Sequence, residues 1–162
     1  MTDFFGEAKA RQSAKEQAVI NTQRQHSEQL GRQGEEYKSA NRQVFTPLDD
    51  QFHKFADNVV ANGGVSEVRD RVHGLNGHLQ SYQLVLQFSM KAKDFQDAKA
   101  TYYLVEGSVA HGGLLLAMVA TSPTGGKKKD VLAQRSITVD ADFSERISNF
   151  LIEVAEKVLS DK

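Results

Sequence analysis

Three of the five histidines, His73, His78 and His111, fall in or beside turns, where imidazoles gathered at one end of a sheet could hold zinc or iron. Their spacing matches no ligand pattern, and no nearby carboxylate is placed to complete a set. The chain has no cysteine, which removes disulfides, thiolate metal sites and thiol nucleophiles together. No resident metal or cofactor is therefore expected.

Other residues invite catalytic readings and fail them on context. Asp49 and Asp50 lie three or four positions before His53, so on a helix they could form a small acid–base cluster. A helix start favours acids for electrostatic reasons alone. Gly107-Ser108 falls within a strand pattern and lacks the Gly-x-Ser-x-Gly elbow of a serine nucleophile. Glu106, in the same strand, is a candidate buried base, but is expected to point to solvent or to pair with a lysine. Gly125-Gly126-Lys127-Lys128-Lys129 suggests phosphate binding. A P-loop, however, needs glycine where Thr121 stands, Ser or Thr where Lys128 stands, and a strand-to-helix context. Both flanks read as strands, so the lysines are expected to be a solubilising hairpin tip. No catalytic residue is assigned.

The elements that would position these groups can be read from periodicity. Residues 6–43 are rich in Gln, Arg, Glu, Lys and Ala and contain no proline, which favours helix. Apolar content is thin: Ala14, Ala18, Val19 and Ile20 cluster, and Leu30, Tyr37 and Val44 recur at the coiled-coil period. Gly34, Asn41 and Leu48 fill the second seam position, which makes a poor zipper. Residues 1–44 are therefore expected to be a polar helical arm, and 45–162 an α+β domain. Thr46-Pro47-Leu48-Asp49 predicts the start of a second helix, with Thr46 as cap. Leu48, Phe52, Phe55, Ala56 and Val59 line its inner face, and Asn62-Gly63-Gly64 ends it.

Residues 65–73 fit either a short helix or a strand, and a turn-rich connection follows. Strict alternation over 79–90 predicts a strand. Further strands are expected over 101–109, 114–121 and 131–139, with a Gly112-Gly113 hairpin between the second and third. Asp142 and Glu145 have capping-box spacing before a helix that aligns Phe143, Ile147, Phe150, Leu151, Val154 and Val158. The expected fold is α+β: a four-stranded antiparallel meander, two amphipathic helices on one face and the polar arm.

The third of these strands is apolar on both sides, with Leu114, Leu116 and Met118 on one and Leu115, Ala117 and Val119 on the other. An apolar face turned away from the helices needs a cover, and the arm has few large apolar residues to supply one. A protein partner or a homo-oligomer is expected, anchored by Tyr102 and Leu104 on the sheet and by Leu30 and Tyr37 on the arm. Tyr102 and Tyr103 exchange faces if that strand slips by one residue. The expected function is a non-catalytic interaction module: a small adaptor, accessory chaperone or inhibitor. The alternative is a small-molecule binder or enzyme with a pocket between sheet and helices, touched by Tyr103, His53 and Arg135.

Charge argues against nucleic acid. The chain's net charge is −1 and the arm mixes both signs, so no basic field exists. The longest apolar run, Leu114 to Ala120, is far short of a membrane span. Met1 to Glu7 carries acids where a secretory leader needs base, so a cytoplasmic location is expected.

Overall fold

The computed structural model describes residues 3–122 and 129–160. The polar N-terminal segment forms one long helix, α1 (Phe4–Ala40), and a second, α2 (Arg42–Ala61), follows after Asn41 alone. Asn41 leaves helical geometry (φ −113°, ψ 32°), and its side-chain amide donates to the Tyr37 carbonyl at 3.0 Å. The chain therefore kinks there without a loop.

The second helix starts earlier than its sequence signal. Thr46 does not cap it, and Pro47 lies inside it. The amides of Val44 and Phe45 already bond to the Asn41 carbonyl, at 3.0 and 3.1 Å. Val44 and Phe45 are fully buried, and the Phe45 ring meets Tyr82 edge-on with centroids 4.9 Å apart. Burial of two large apolar side chains, worth roughly 1.5–3 kcal/mol each, outweighs the one backbone bond that proline removes. The division between arm and domain expected at residue 44 thus falls within α2.

Among the described residues, five strands form an antiparallel meander in the order β1-β2-β3-β4-β5: β1 (Val65–Leu75), β2 (His78–Ser89), β3 (Tyr103–Val109), β4 (Leu115–Thr121) and β5 (Val131–Ile137). The expected sheet had four strands; the ambiguous segment 65–73 supplies the fifth. Val68 and Val72 face the helices opposite Leu86 and Tyr82, but Asp70 sits between them opposite Leu84. That charge interrupts the apolar alternation that would have marked a strand. It is accommodated because the Tyr82 hydroxyl donates to it and Lys38 approaches it at 3.5 Å. Asn76-Gly77, with φ of 53° and 77°, makes the two-residue turn joining β1 to β2.

The core lies on one side of the sheet. Tyr82, Leu84, Leu86 and Phe88 of β2, Tyr103 and Val105 of β3, and Leu115, Ala117 and Val119 of β4 face Phe45, Leu48 and Phe52 of α2. The last helix, α3 (Phe143–Ser160), completes it with all six apolar residues of its predicted inner face. Asp142 stands just before α3, with its carbonyl accepting from the Arg146 amide at 2.9 Å. The carboxylate that braces this turn is Asp140: it accepts from the Asp142 amide at 3.0 Å and from two guanidinium nitrogens of Arg146. No helix among the described residues is long and apolar enough to cross a membrane.

Candidate functional site

The second half of α1 is fastened to the β1–β2 hairpin by a short seam. Gly34 is its one buried residue, and a Cβ placed there would meet Val72 Cγ1 at 2.7 Å and Tyr82 Cδ2 at 3.7 Å. The Tyr37 ring tilts against those of Tyr82 and Phe45, with centroids 5.6 and 6.1 Å apart. Leu30 packs over Gly74. The Gln33 side chain donates to the Gly77 carbonyl at 3.0 Å and accepts from the Leu79 amide at 2.7 Å. Leu30 and Tyr37, expected to meet a partner, thus dock the arm on its own sheet. Burial, reinforced by the Asp70 carboxylate, raises the Tyr82 hydroxyl far above the ordinary tyrosine range. Tyr82 therefore stays a neutral donor at the foot of this seam.

The first half of α1 makes no such contacts among the described residues. Every residue from Asp3 to Gln25 is exposed. Phe4 and Phe5 at the tip are 75 % and 81 % exposed, and Val19 and Ile20 stand in solvent as well. The helix passes Tyr82 at Tyr37, Gly74 at Leu30 and the Gly77 turn at His26 and Gln29, so its free half projects beyond the hairpin.

The sheet's second face differs from the bare apolar patch anticipated. Val85, Leu104 and Ala120 are buried there, outside the main core. Glu106 sits among them with its side chain 6 % exposed. Its Oε1 accepts from Arg71 at 2.8 Å and from Lys129 at 3.0 Å. To reach β3, Arg71 crosses β2 and Lys129 crosses β4, so their aliphatic stems shelter the neighbouring apolar side chains. Burial by itself would raise the Glu106 pKa, but the hydrogen bonds from Lys129 and Arg71 outweigh it and hold the carboxyl below its usual value. A carboxylate so stabilised is a poor general base. The rest of the hairpin tip, Lys127 and Lys128 included, lies outside the described residues.

The segment between β2 and β3 covers one end of the same face. Ala92 is buried, Phe95 stacks on Tyr102 at 6.0 Å, and the Tyr102 hydroxyl donates to the carbonyls of Asp94 and Asp97 at 2.9 and 2.8 Å. Tyr102 and Leu104 face away from the helices, which settles the choice between Tyr102 and Tyr103 that the sequence left open, but both are buried within their own chain. Tyr103 faces the core and stacks on Phe88 at 5.4 Å.

The three residues expected to share a pocket are not brought together. His53 is exposed on α2, bonded to the Asp49 carbonyl at 2.8 Å. Arg135 pairs with Glu153 in a shallow cleft between β5 and α3. Tyr103 borders a separate groove at the opposite end of the hairpin from the arm. There the C-terminal turns of α2 and α3 part beside the end of β2, leaving a cavity of about 210 Å³ walled by Phe55, Val59, Phe88, Met90 and Val158. A larger depression shares Met90, Val158 and Leu159 with it and reaches Lys91, Thr101 and Tyr103. The described residues contain no cluster of three or more His, Asp or Glu side chains placed to hold a metal ion.

Periodicity located neither the arm's tip nor this groove. Phe4-Phe5 ahead of a polar helix was the available signal, whereas the groove depends on how two helix ends diverge. Compared with known proteins, the chain matches no family model, no curated protein and no solved structure.

Proposed function

We propose that the protein is a non-catalytic protein-interaction module, of the adaptor, accessory-chaperone or inhibitor kind, and that the free half of α1 is its contacting element. The observation that carries this reading is the exposure of the whole span from Asp3 to Gln25, with Phe4, Phe5, Val19 and Ile20 on it. Protein helices draw most of their stability from packing an apolar face, and this half packs on none of the other described elements. A partner that covers those side chains supplies the missing burial. The sheet's second face, with Leu116 and Met118 half-buried beside the Glu106 ion pairs, is the second contact surface.

The test replaces Phe4, Phe5, Val19 and Ile20 with serine in the full chain. The melting transition should stay in place, since none of the four touches the core, while self-association or partner capture is lost. Unchanged association would overturn the assignment to the arm. The end groove favours a second reading, an apolar small-molecule site. A stabilising thermal shift with small aromatic compounds, abolished by filling the groove, would favour it.

A further inference from the structure

The arm's tip and the end groove are complementary, and they cannot meet within one chain. The tip presents two exposed phenyl rings flanked by Asp3 and Glu7. The groove offers about 210 Å³ walled by Phe55, Phe88, Met90 and Val158, with Leu159, 76 % exposed, on its rim and Lys91 in the adjoining depression. An apolar cavity of about 150 Å³ already accommodates a benzene ring, so this space is of the size a phenylalanine side chain needs. The acids beside the rings and the lysine beside the groove have opposite charge.

The two features lie at opposite ends of the hairpin. The arm leaves the body past Gly77, where His26 and Gln29 make its last contacts, whereas the groove lies where β2 ends at Ser89 and Met90. Residues 4–25 carry the tip about 33 Å beyond the turn, at the α-helical rise. The length of β2 puts the groove about 40 Å away on the other side. A straight helix cannot fold back across that distance. A second copy meeting the first hairpin end to hairpin end is in a different position. The arm that leaves one copy then runs along the other for a length close to the distance from that copy's turn to its groove.

We propose that Phe4 and Phe5 of one copy occupy the end groove of a second copy, and that the exchange is reciprocal, giving a closed two-fold dimer. This rests on the reading of the arm as the contacting element and gives that element its partner: the same chain.

The native chain has no cysteine, so paired single-cysteine variants report the contact without background. Phe5→Cys and Leu159→Cys, both at exposed positions, are mixed as full-length chains under mild oxidation, and association of the wild-type chain is followed by sedimentation. The expected result is a heterodimer linked by a disulfide between the two introduced thiols, and a wild-type mass twice that of the chain. Phe4→Ser with Phe5→Ser should weaken dimerisation by roughly thirtyfold or more, the loss typical of a buried aromatic anchor, and Leu159→Lys, which sets a charge on the rim of the groove, should separately weaken it as well. A wild-type monomer at every concentration overturns the exchange while leaving the arm free to bind another protein. A dimer that is sensitive to the tip variants but insensitive to Leu159→Lys, and whose mixed cysteine variants form no disulfide, also overturns it and shows that the tips dock elsewhere. Association that ignores the tip altogether overturns both this inference and the broader reading of the arm.

Discussion

Helices α1 and α3 are built from sequences that favour helix, and they are held in place by different means. In α3, six of 18 residues are buried, all on one stripe against the sheet. In α1, one of 37 residues is buried, and that one is a glycine. For α3, packing fixes position and helical state together. For α1, propensity gives the helical form, and a seam of Leu30, Gln33, Gly34 and Tyr37 fixes only where half of it lies. The contrast teaches that a continuous helix can be part core element and part free appendage, with the division set by where a neighbouring surface ends. Here the surface ends at the Asn76-Gly77 turn.

The comparison can be broken first at α3. Phe150 is 4 % exposed in the core, and Phe150→Ala should cost about 3–5 kcal/mol in a urea melt, the range for a large aromatic removed from a packed interior. A loss below about 1 kcal/mol would place α3 outside the cooperative core and erase the contrast with α1.

The arm's seam should give a smaller, local effect. Gly34→Leu forces atoms into the space held by Val72 and Tyr82, and overpacking of this kind costs about 1–3 kcal/mol. Amide exchange should accelerate from residue 30 to 40 while α3 keeps its protection. Equal acceleration in both helices would mean that α1 and α3 unfold as one unit.

A pH-dependent contribution comes from the sheet face between these extremes. The folded-state pKa of Glu106 is lowered, so its ion pairs stabilise the protein fully above the ordinary glutamate value. That contribution is lost as pH falls through the lowered folded value. Glu106→Gln should therefore cost about 1–3 kcal/mol at neutral pH, as for hydrogen bonds to a charged group. The gap from wild type should close in acid. A gap that persists undiminished in strongly acidic melts would show that the role of Glu106 is steric.

The smallest change sharpens the division within α1. A Cβ at Gly31 meets nothing within 4 Å, so Gly31→Ala should stabilise the arm locally by about 0.5–1 kcal/mol. Slower amide exchange around residue 31, with the main melting transition unmoved, is the expected reading. Faster exchange would place an unseen contact at that position.

Wherever one face of an element is wet and the other dry, sequence by itself determined much of this molecule. The alternation from Tyr82 to Phe88, the stripe of α3 and the polar composition of α1 specify their elements because burial acts residue by residue with the period of the backbone. The same rule set Tyr102 and Tyr103 on opposite faces of their strand but left open which of them faces the helices, since a one-residue slip exchanges the two; the structure turns Tyr103 to the core. Other features depend on groups distant in the chain, and only the tertiary structure decided them. The strand state of 65–75 needed the Tyr82 hydroxyl and Lys38 to accommodate Asp70. The early start of α2 needed a tyrosine from β2 for Phe45 to pack against. The cover over Val85 and Leu104 came from Arg71, Lys129 and the 91–101 segment reaching across strands. The groove is formed jointly by the last turns of α2 and α3 and the end of β2, three segments far apart in the chain. Local pattern records whether a residue seeks burial; which surface buries it, and where that surface stops, is set by contacts between residues far apart in the chain.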